Sequence, residues 1–200
     1  MFYKKKEFTE ILNRLIANDP TLVTLNLDIG DIEDRKAKIS YTNEDIEKLA
    51  SALVSNTHLH SLNLYYNLIS RASVIKLLKV CKVKQLQIGN IHFLTSDENG
   101  KEFGRAIANN QHLEYLDMGN TAIDDEVLSE LANSQSIKYL SIQQNPRISS
   151  VGIANLLTKN RVLETFKLAL NSQLGFEGIK QFAAYLKETS LKSVNFSGNN

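Results

Sequence analysis

Six-residue blocks with apolar first, fourth and sixth positions recur along the chain. They start at Leu22, Leu59, Val83, Leu113, Ile137, Leu163 and Leu191. Each reads L-x-x-L-x-L, as in Leu59-His-Ser-Leu62-Asn-Leu64 and Leu113-Glu-Tyr-Leu116-Asp-Met118. The starts lie 37, 24, 30, 24, 26 and 28 residues apart, so a near-regular period runs through almost all of the sequence. The last four positions of each block alternate apolar and polar, the period of a strand. Four blocks reach an asparagine three residues after their last apolar position: Asn67, Asn145, Asn171 and Asn199. Two others carry one a position earlier, Asn90 and Asn120. An amide both donates and accepts, so in a turn it can satisfy backbone groups of adjacent coils.

Between blocks the period changes to that of helices. The expected inward faces are Ile46, Leu49, Ala50, Leu53 and Val54; Val74, Leu77, Leu78 and Cys81; Phe103, Ile107 and Ala108; Val127, Leu128 and Leu131; Ile153, Leu156 and Leu157; and Ile179, Phe182, Ala183 and Leu186. Thr42-x-x-Asp45, Thr95-x-x-Glu98 and Thr121-x-x-Asp124 have the spacing of capping boxes. Asn18, Asn56, Asn110, Asn133 and Asn160 stand near helix ends, just before the next block. Phe8, Ile11, Leu12, Leu15 and Ile16 predict a further helix ahead of the first strand.

The strand, asparagine turn and helix together resemble the leucine-rich repeat, and the long period with full helices is similar to its ribonuclease-inhibitor-like class. The resemblance covers residues 7–200. It implies an α/β solenoid: a curved horseshoe segment with a parallel β-sheet on the concave face and α-helices on the convex face. Such a unit cannot bury its own apolar face, so stacking supplies the core. The expected organisation is an N-terminal capping helix over 1–21 and leucine-rich repeats over 22–200, about seven strand units with the last incomplete. The incomplete end has three readings: a fragment of a longer protein, self-association through the open repeat, or a frayed terminus. The first coil is longer than the rest, the excess lying in Asp28–Tyr41 with charged Asp31, Glu33, Asp34, Arg35, Lys36 and Lys38. A second long loop carries Ile91, Phe93 and Leu94. Insertions of this kind often decorate a binding face.

Composition narrows the partners. With 23 Lys+Arg against 22 Asp+Glu, the net charge is +1, which speaks against nucleic acid and against a polybasic membrane anchor. No apolar run predicts a membrane span or a signal peptide. With one cysteine in 200 residues, the expectation is a soluble, cytoplasmic protein. The Asn-, Lys-, Ile- and Ser-rich composition suits an AT-rich genome, and the reading therefore includes a bacterial effector tied to virulence and delivered into a host cytosol.

Little in the chain points to catalysis. His58 and His112 share one repeat position two coils apart, too far to hold one metal, and no metal site or cofactor is expected. Cys81 falls on an inward helical stripe and reads as a structural thiol. Asp124-Asp125-Glu126 reads as helix capping. The ribonuclease-inhibitor-like class includes Ran GTPase-activating proteins, so Arg71 and Arg147, in turns after strands, are weighed as candidate arginines of a GTPase activator.

The polar positions of the strands form the stronger candidate. The third position of each block gives Thr24, Ser61, Gln85, Tyr115, Tyr139, Thr165 and Ser193. The fifth gives Asn26, Asn63, Gln87, Asp117, Ser141, Lys167 and Asn195. Beyond the block come Asp28, Tyr65, Gly89, Gly119, Gln143, Ala169 and Ser197, with Tyr66 beside. Four tyrosines should therefore be exposed on one surface, with Gly89 and Gly119 leaving room beside Tyr65. Tyrosine is enriched at interface hot spots. The expected function is a non-catalytic protein–protein interaction module that binds a partner on the concave face through Tyr65, Tyr66, Tyr115, Tyr139, Asn63, Gln87, Asp117 and Gln143. The alternatives are a GTPase-activating regulator and the recognition part of a larger effector.

Overall fold

The computed structural model describes residues 2–30, 40–91, 100–171 and 174–199. Helix α1 (Phe2–Ile16) comes first, followed by strands and helices in alternation. These are β1 (Thr24–Asn26), α2 (Asn43–Leu53), β2 (Ser61–Asn63), α3 (Arg71–Leu78), β3 (Gln85–Gln87), α4 (Gly100–Asn109), β4 (Tyr115–Asp117), α5 (Asp125–Leu131), β5 (Tyr139–Ser141), α6 (Ser150–Lys159), β6 (Thr165–Lys167), α7 (Gly175–Tyr185) and β7 (Ser193–Asn195). The strands form a seven-stranded parallel sheet in sequence order. Each pairs at equivalent repeat positions, Leu62 opposite Leu86 and Tyr115 opposite Tyr139. This is the expected leucine-rich-repeat solenoid.

One face of the sheet packs on the helices. Leu62, Leu86, Leu116 and Phe166 from the strands meet Leu49, Leu77, Ile107, Val127 and Ile153 from the helices in a continuous core. The helical stripes run as expected over most of their length, with three corrections. Val54 and Ile16 are exposed, each lying past the last inward turn of its helix. Ala183 is exposed as well, although its neighbour Phe182 is buried. At the last coil Val194 is only partly buried, and Phe196 is 37% exposed while it meets Phe182 edge-on. Ile179, Phe93, Leu94, His92, the Thr95–Glu98 pair and the charged stretch 31–38 lie outside the described side chains.

Thr42 and Asp45 form the predicted capping box at α2. Thr121 does not start a helix. The cap of α5 is Asp124, whose carboxylate accepts the N–H groups of Glu126 and Val127. Thr121 is buried one turn earlier, and its hydroxyl donates to the Met118 carbonyl. It thus takes the place that asparagine holds in other coils.

Those asparagines form a ladder. Asn145 is fully buried. Its Nδ2 donates to the carbonyls of Ile142 in its own coil and Met118 in the coil before. Its Oδ1 accepts the N–H groups of Thr121 and Ile123. The N–H of Asn145 is in turn accepted by Asn171, and that of Asn171 by Asn199. Asn67 repeats the pattern toward Leu27, Leu64 and Tyr41. Every rung ties two coils through groups that would otherwise be buried unpaired.

Asn90 and Asn120 do a different job. Both adopt a left-handed backbone, with φ 53° and 54°, a conformation asparagine tolerates better than most residues. Tyr66, Gln144 and Leu170 take the same conformation at equivalent positions.

A second ladder runs along the helix C-termini. Asn56, Asn110 and Asn160 are buried, and each Oδ1 accepts two successive N–H groups entering the next strand. Their Nδ2 groups donate to carbonyls of the preceding coil, Leu15, Leu78 and Ser134. The expected Asn133 is exposed, and the neighbouring Ser134 occupies the buried place.

The ladder predicts a large, position-specific stability effect. Asn145→Ala leaves the buried N–H groups of Thr121 and Ile123 without their acceptor. Denaturant unfolding should show a loss of about 3 kcal/mol. Asn133→Ala, at an exposed helix end, should change stability by less than about 0.5 kcal/mol.

Candidate functional site

The other face of the sheet presents the third and fifth block positions. The fifth position has a recurring local role. Asn26, Asn63 and Asn195 accept the backbone N–H two residues on, from Asp28, Tyr65 and Ser197. Asp117 does the same for Gly119 at 2.9 Å. These side chains turn the chain out of each strand.

Tyr115 and Tyr139, direct partners in neighbouring strands, stack with ring centroids 4.0 Å apart and 11° between planes. Lys167 from β6 places its Nζ 5.5 Å from the Tyr139 centroid. Tyr65 and Tyr66 meet at 6.0 Å in a tilted arrangement. The four tyrosines are half-buried, where the sequence predicted exposure, because their rings lie against one another and against the backbone. Gly89 makes this possible for Tyr65: a Cβ there would fall 1.8 Å from the ring's Cε1. Gly30 plays that part for Tyr66, with a Cβ 2.8 Å from the ring. Gly119 does not border Tyr65, its close neighbours being the Asp117 carboxylate and the Gln143 carbonyl.

The phenols of this cluster share one electrostatic neighbourhood with Asp117. Burial and a hydrogen bond to the Asp117 carboxylate push the Tyr65 phenol well above its ordinary range. Tyr115 is pushed up to about 12, mainly by burial and then by its hydrogen bond to Tyr139, while a hydrogen bond from Gln87 acts the other way. Tyr65, Gln87, Asp117, Tyr115 and Tyr139 therefore lie in one connected patch across four strands. Asn63 borders it with its amide already engaged by the Tyr65 N–H. Gln143 bonds to Ser141, which is fully buried where the sequence predicted a surface position. Ala169 is buried too.

Two features escaped the sequence reading. Lys167 was one more polar residue in its column until the structure set it over Tyr139. Along the second block position run Lys84, Glu114, Lys138, Glu164 and Lys192, alternating in sign. Lys138 pairs with Glu114 at 3.0 Å and Lys192 with Glu164 at 2.9 Å. The Lys138 ammonium holds the exposed Glu114 carboxyl below its usual range. Such exposed pairs contribute little stability, and they rim the patch with near-neutral charge.

The other candidate groups separate clearly. Arg71 is no turn residue. It begins α3 and is 3% exposed, with Nη2 donating to the Ala122 carbonyl. Arg147 is exposed. Cys81 is buried, and desolvation pushes its thiol up to about 11. Among the described residues no three His, Cys, Asp or Glu side chains gather as metal ligands. No described helix is long and apolar enough to cross a membrane.

The comparisons with known proteins agree on the architecture. A family model described as "Leucine Rich repeat" matches residues 109–132, which carry β4 and α5. No curated protein matches the chain. Among solved structures, the leiomodin-1 actin-binding site 2 shares 24% identity at a TM-score of 0.57, over 76% of this chain and 88% of that one. The C-terminal domain of tropomodulin from Caenorhabditis elegans shares 14% identity at a TM-score of 0.56, over 90% of this chain and 91% of that one. The likeness is one of fold. Repeat, ladder and parallel sheet together make a leucine-rich-repeat fold.

Two outcomes follow from this geometry. Gly89→Ala should expel the Tyr65 ring, and ultraviolet titration should then show its phenol returning toward the ordinary 10. Cys81 should resist a disulfide reagent such as DTNB in the folded protein and react fully in denaturant, since a buried thiol supplies little thiolate.

Proposed function

We propose that the chain is a non-catalytic protein-interaction module that binds its partner on the concave, open face of the sheet. The observation that carries this reading is the tyrosine patch. Tyr115 stacks on Tyr139, Lys167 caps the pair, and Tyr65 lies in the space left by Gly89. Half-buried tyrosines of this kind offer rigid apolar area and a hydroxyl at small entropic cost. Tyr66, Asn63, Gln87, Asp117 and Gln143 surround them. A leucine-rich-repeat sheet supplies the rigid scaffold on which such a patch stays in place.

The alternative of a GTPase activator loses support with Arg71, whose guanidinium is turned into the protein. The open-face reading applies equally to a chain acting alone and to the recognition part of a larger effector. One solved relative by fold is named as an actin-binding site, so actin is a direct candidate to include in a test.

Affinity capture from cell lysate should retain a specific protein on the wild-type chain. A variant carrying Tyr65→Ala, Tyr66→Ala, Tyr115→Ala and Tyr139→Ala, confirmed folded by circular dichroism, should lose it. Cosedimentation with filamentous actin and binding to monomeric actin test that candidate directly. Identical capture by both baits would show that the tyrosine patch serves only the fold.

A further inference from the structure

The fifth block position shows that the fold needs an acceptor, not a charge. Asn26, Asn63 and Asn195 each turn the chain with an amide oxygen. Only at Asp117, among these turn-making side chains, does a carboxylate do the same work. An amide oxygen there would serve the Gly119 N–H as well. The charge at 117 therefore has no source in the requirements of the turn.

The charge sits among aromatic rings with no counter-ion paired to it among the described residues. Asp117 is half-buried between Tyr65 and the Tyr115–Tyr139 pair. Among the described residues no lysine, arginine or histidine forms an ion pair with it. Lys167, the cation of the fifth-position column, stands two strands away over Tyr139. The carboxylate accepts the Gly119 N–H on one oxygen, which leaves acceptor capacity on both oxygens. Aromatic faces nearby favour a cation, as Lys167 over Tyr139 already illustrates.

We infer that Asp117, Tyr65 and Tyr115 form a receptor for a guanidinium group, and that the partner bound on this face presents an arginine side chain there. Guanidinium fits better than ammonium. It is planar, stacks on tyrosine rings and bonds a carboxylate with two parallel N–H groups. This inference rests on the open-face reading above and names the chemistry of the residue that docks at its centre.

The test uses the full chain and blocked tripeptides as probes. NMR titration with Ac-Gly-Arg-Gly-NH2 should shift the ring signals of Tyr65 and Tyr115 saturably, at about millimolar affinity. Ac-Gly-Glu-Gly-NH2 should leave them unmoved, and Ac-Gly-Lys-Gly-NH2 should bind more weakly than the arginine peptide. Asp117→Asn keeps the turn, as the asparagines at 26, 63 and 195 do, and should weaken the arginine peptide about tenfold. No shift with the arginine peptide, or equal affinity in Asp117→Asn, overturns the receptor. Equal or tighter binding of the lysine peptide overturns the choice of guanidinium. A protein partner lost from the tyrosine variant but held by Asp117→Asn would leave the open-face reading standing and refute this inference. A partner held by the tyrosine variant would refute the open-face reading, while the peptide titration still decides the receptor.

Discussion

A solenoid of three-residue strands stands or falls on how its turns satisfy their backbone groups. Each coil exchanges only a few ladder hydrogen bonds with the next, and every turn then buries N–H and C=O groups against neighbouring coils. The asparagines at 67, 145, 171 and 199 answer that need with amides that bond in two directions. Those at 56, 110 and 160 answer it on the helix side. With both rows in place the strands stay in register, and side chains at equivalent positions are forced into columns. The Tyr115–Tyr139 stack is a consequence of that register, since the two are direct partners across β4 and β5.

The fold was legible because its determinants repeat. An apolar residue at the fourth block position, leucine in five of the seven, means the same thing each time, and the core residues followed from that with few errors. The errors have a shared cause. Val54 and Ile16 continue a helical period past the point where the neighbouring coil ends, so periodicity overran the packing. Thr121 looked like a cap because threonine precedes an acidic residue by three. It is instead a hydroxyl standing where the turn ladder of other coils has asparagine, and the cap moves to Asp124. Local spacing cannot distinguish these two roles, because the difference lies in what the next coil offers.

The candidate patch was legible by column and not by depth. Repeat arithmetic put Tyr115 beside Tyr139. It did not reveal that the rings would lie flat and half-buried, that Gly89 would receive Tyr65, or that Lys167 would reach back over Tyr139. Those relations depend on side-chain direction and on residues 24 to 28 positions apart. Arg71 shows the reverse error: its position after a strand suggested a turn, yet it opens a helix and its guanidinium points inward.

Comparing equivalent positions separates what the fold requires from what it merely permits. Where a column repeats one residue type, the ladder explains it. Where the column changes type without changing its local hydrogen bond, the new property is surplus to folding. Leucine at the fourth position and asparagine at the turn belong to the first kind. The tyrosines of the third column, among Thr24, Ser61, Thr165 and Ser193, belong to the second. So does Asp117, which accepts the same N–H as its asparagine counterparts yet adds a charge among three aromatic rings. Surplus features of the two columns meet at one place on the sheet, β4 and its neighbours. A repeat protein built only for stability would have no reason to concentrate them there, and this is why the functional reading centres on that patch and not on the longer loops.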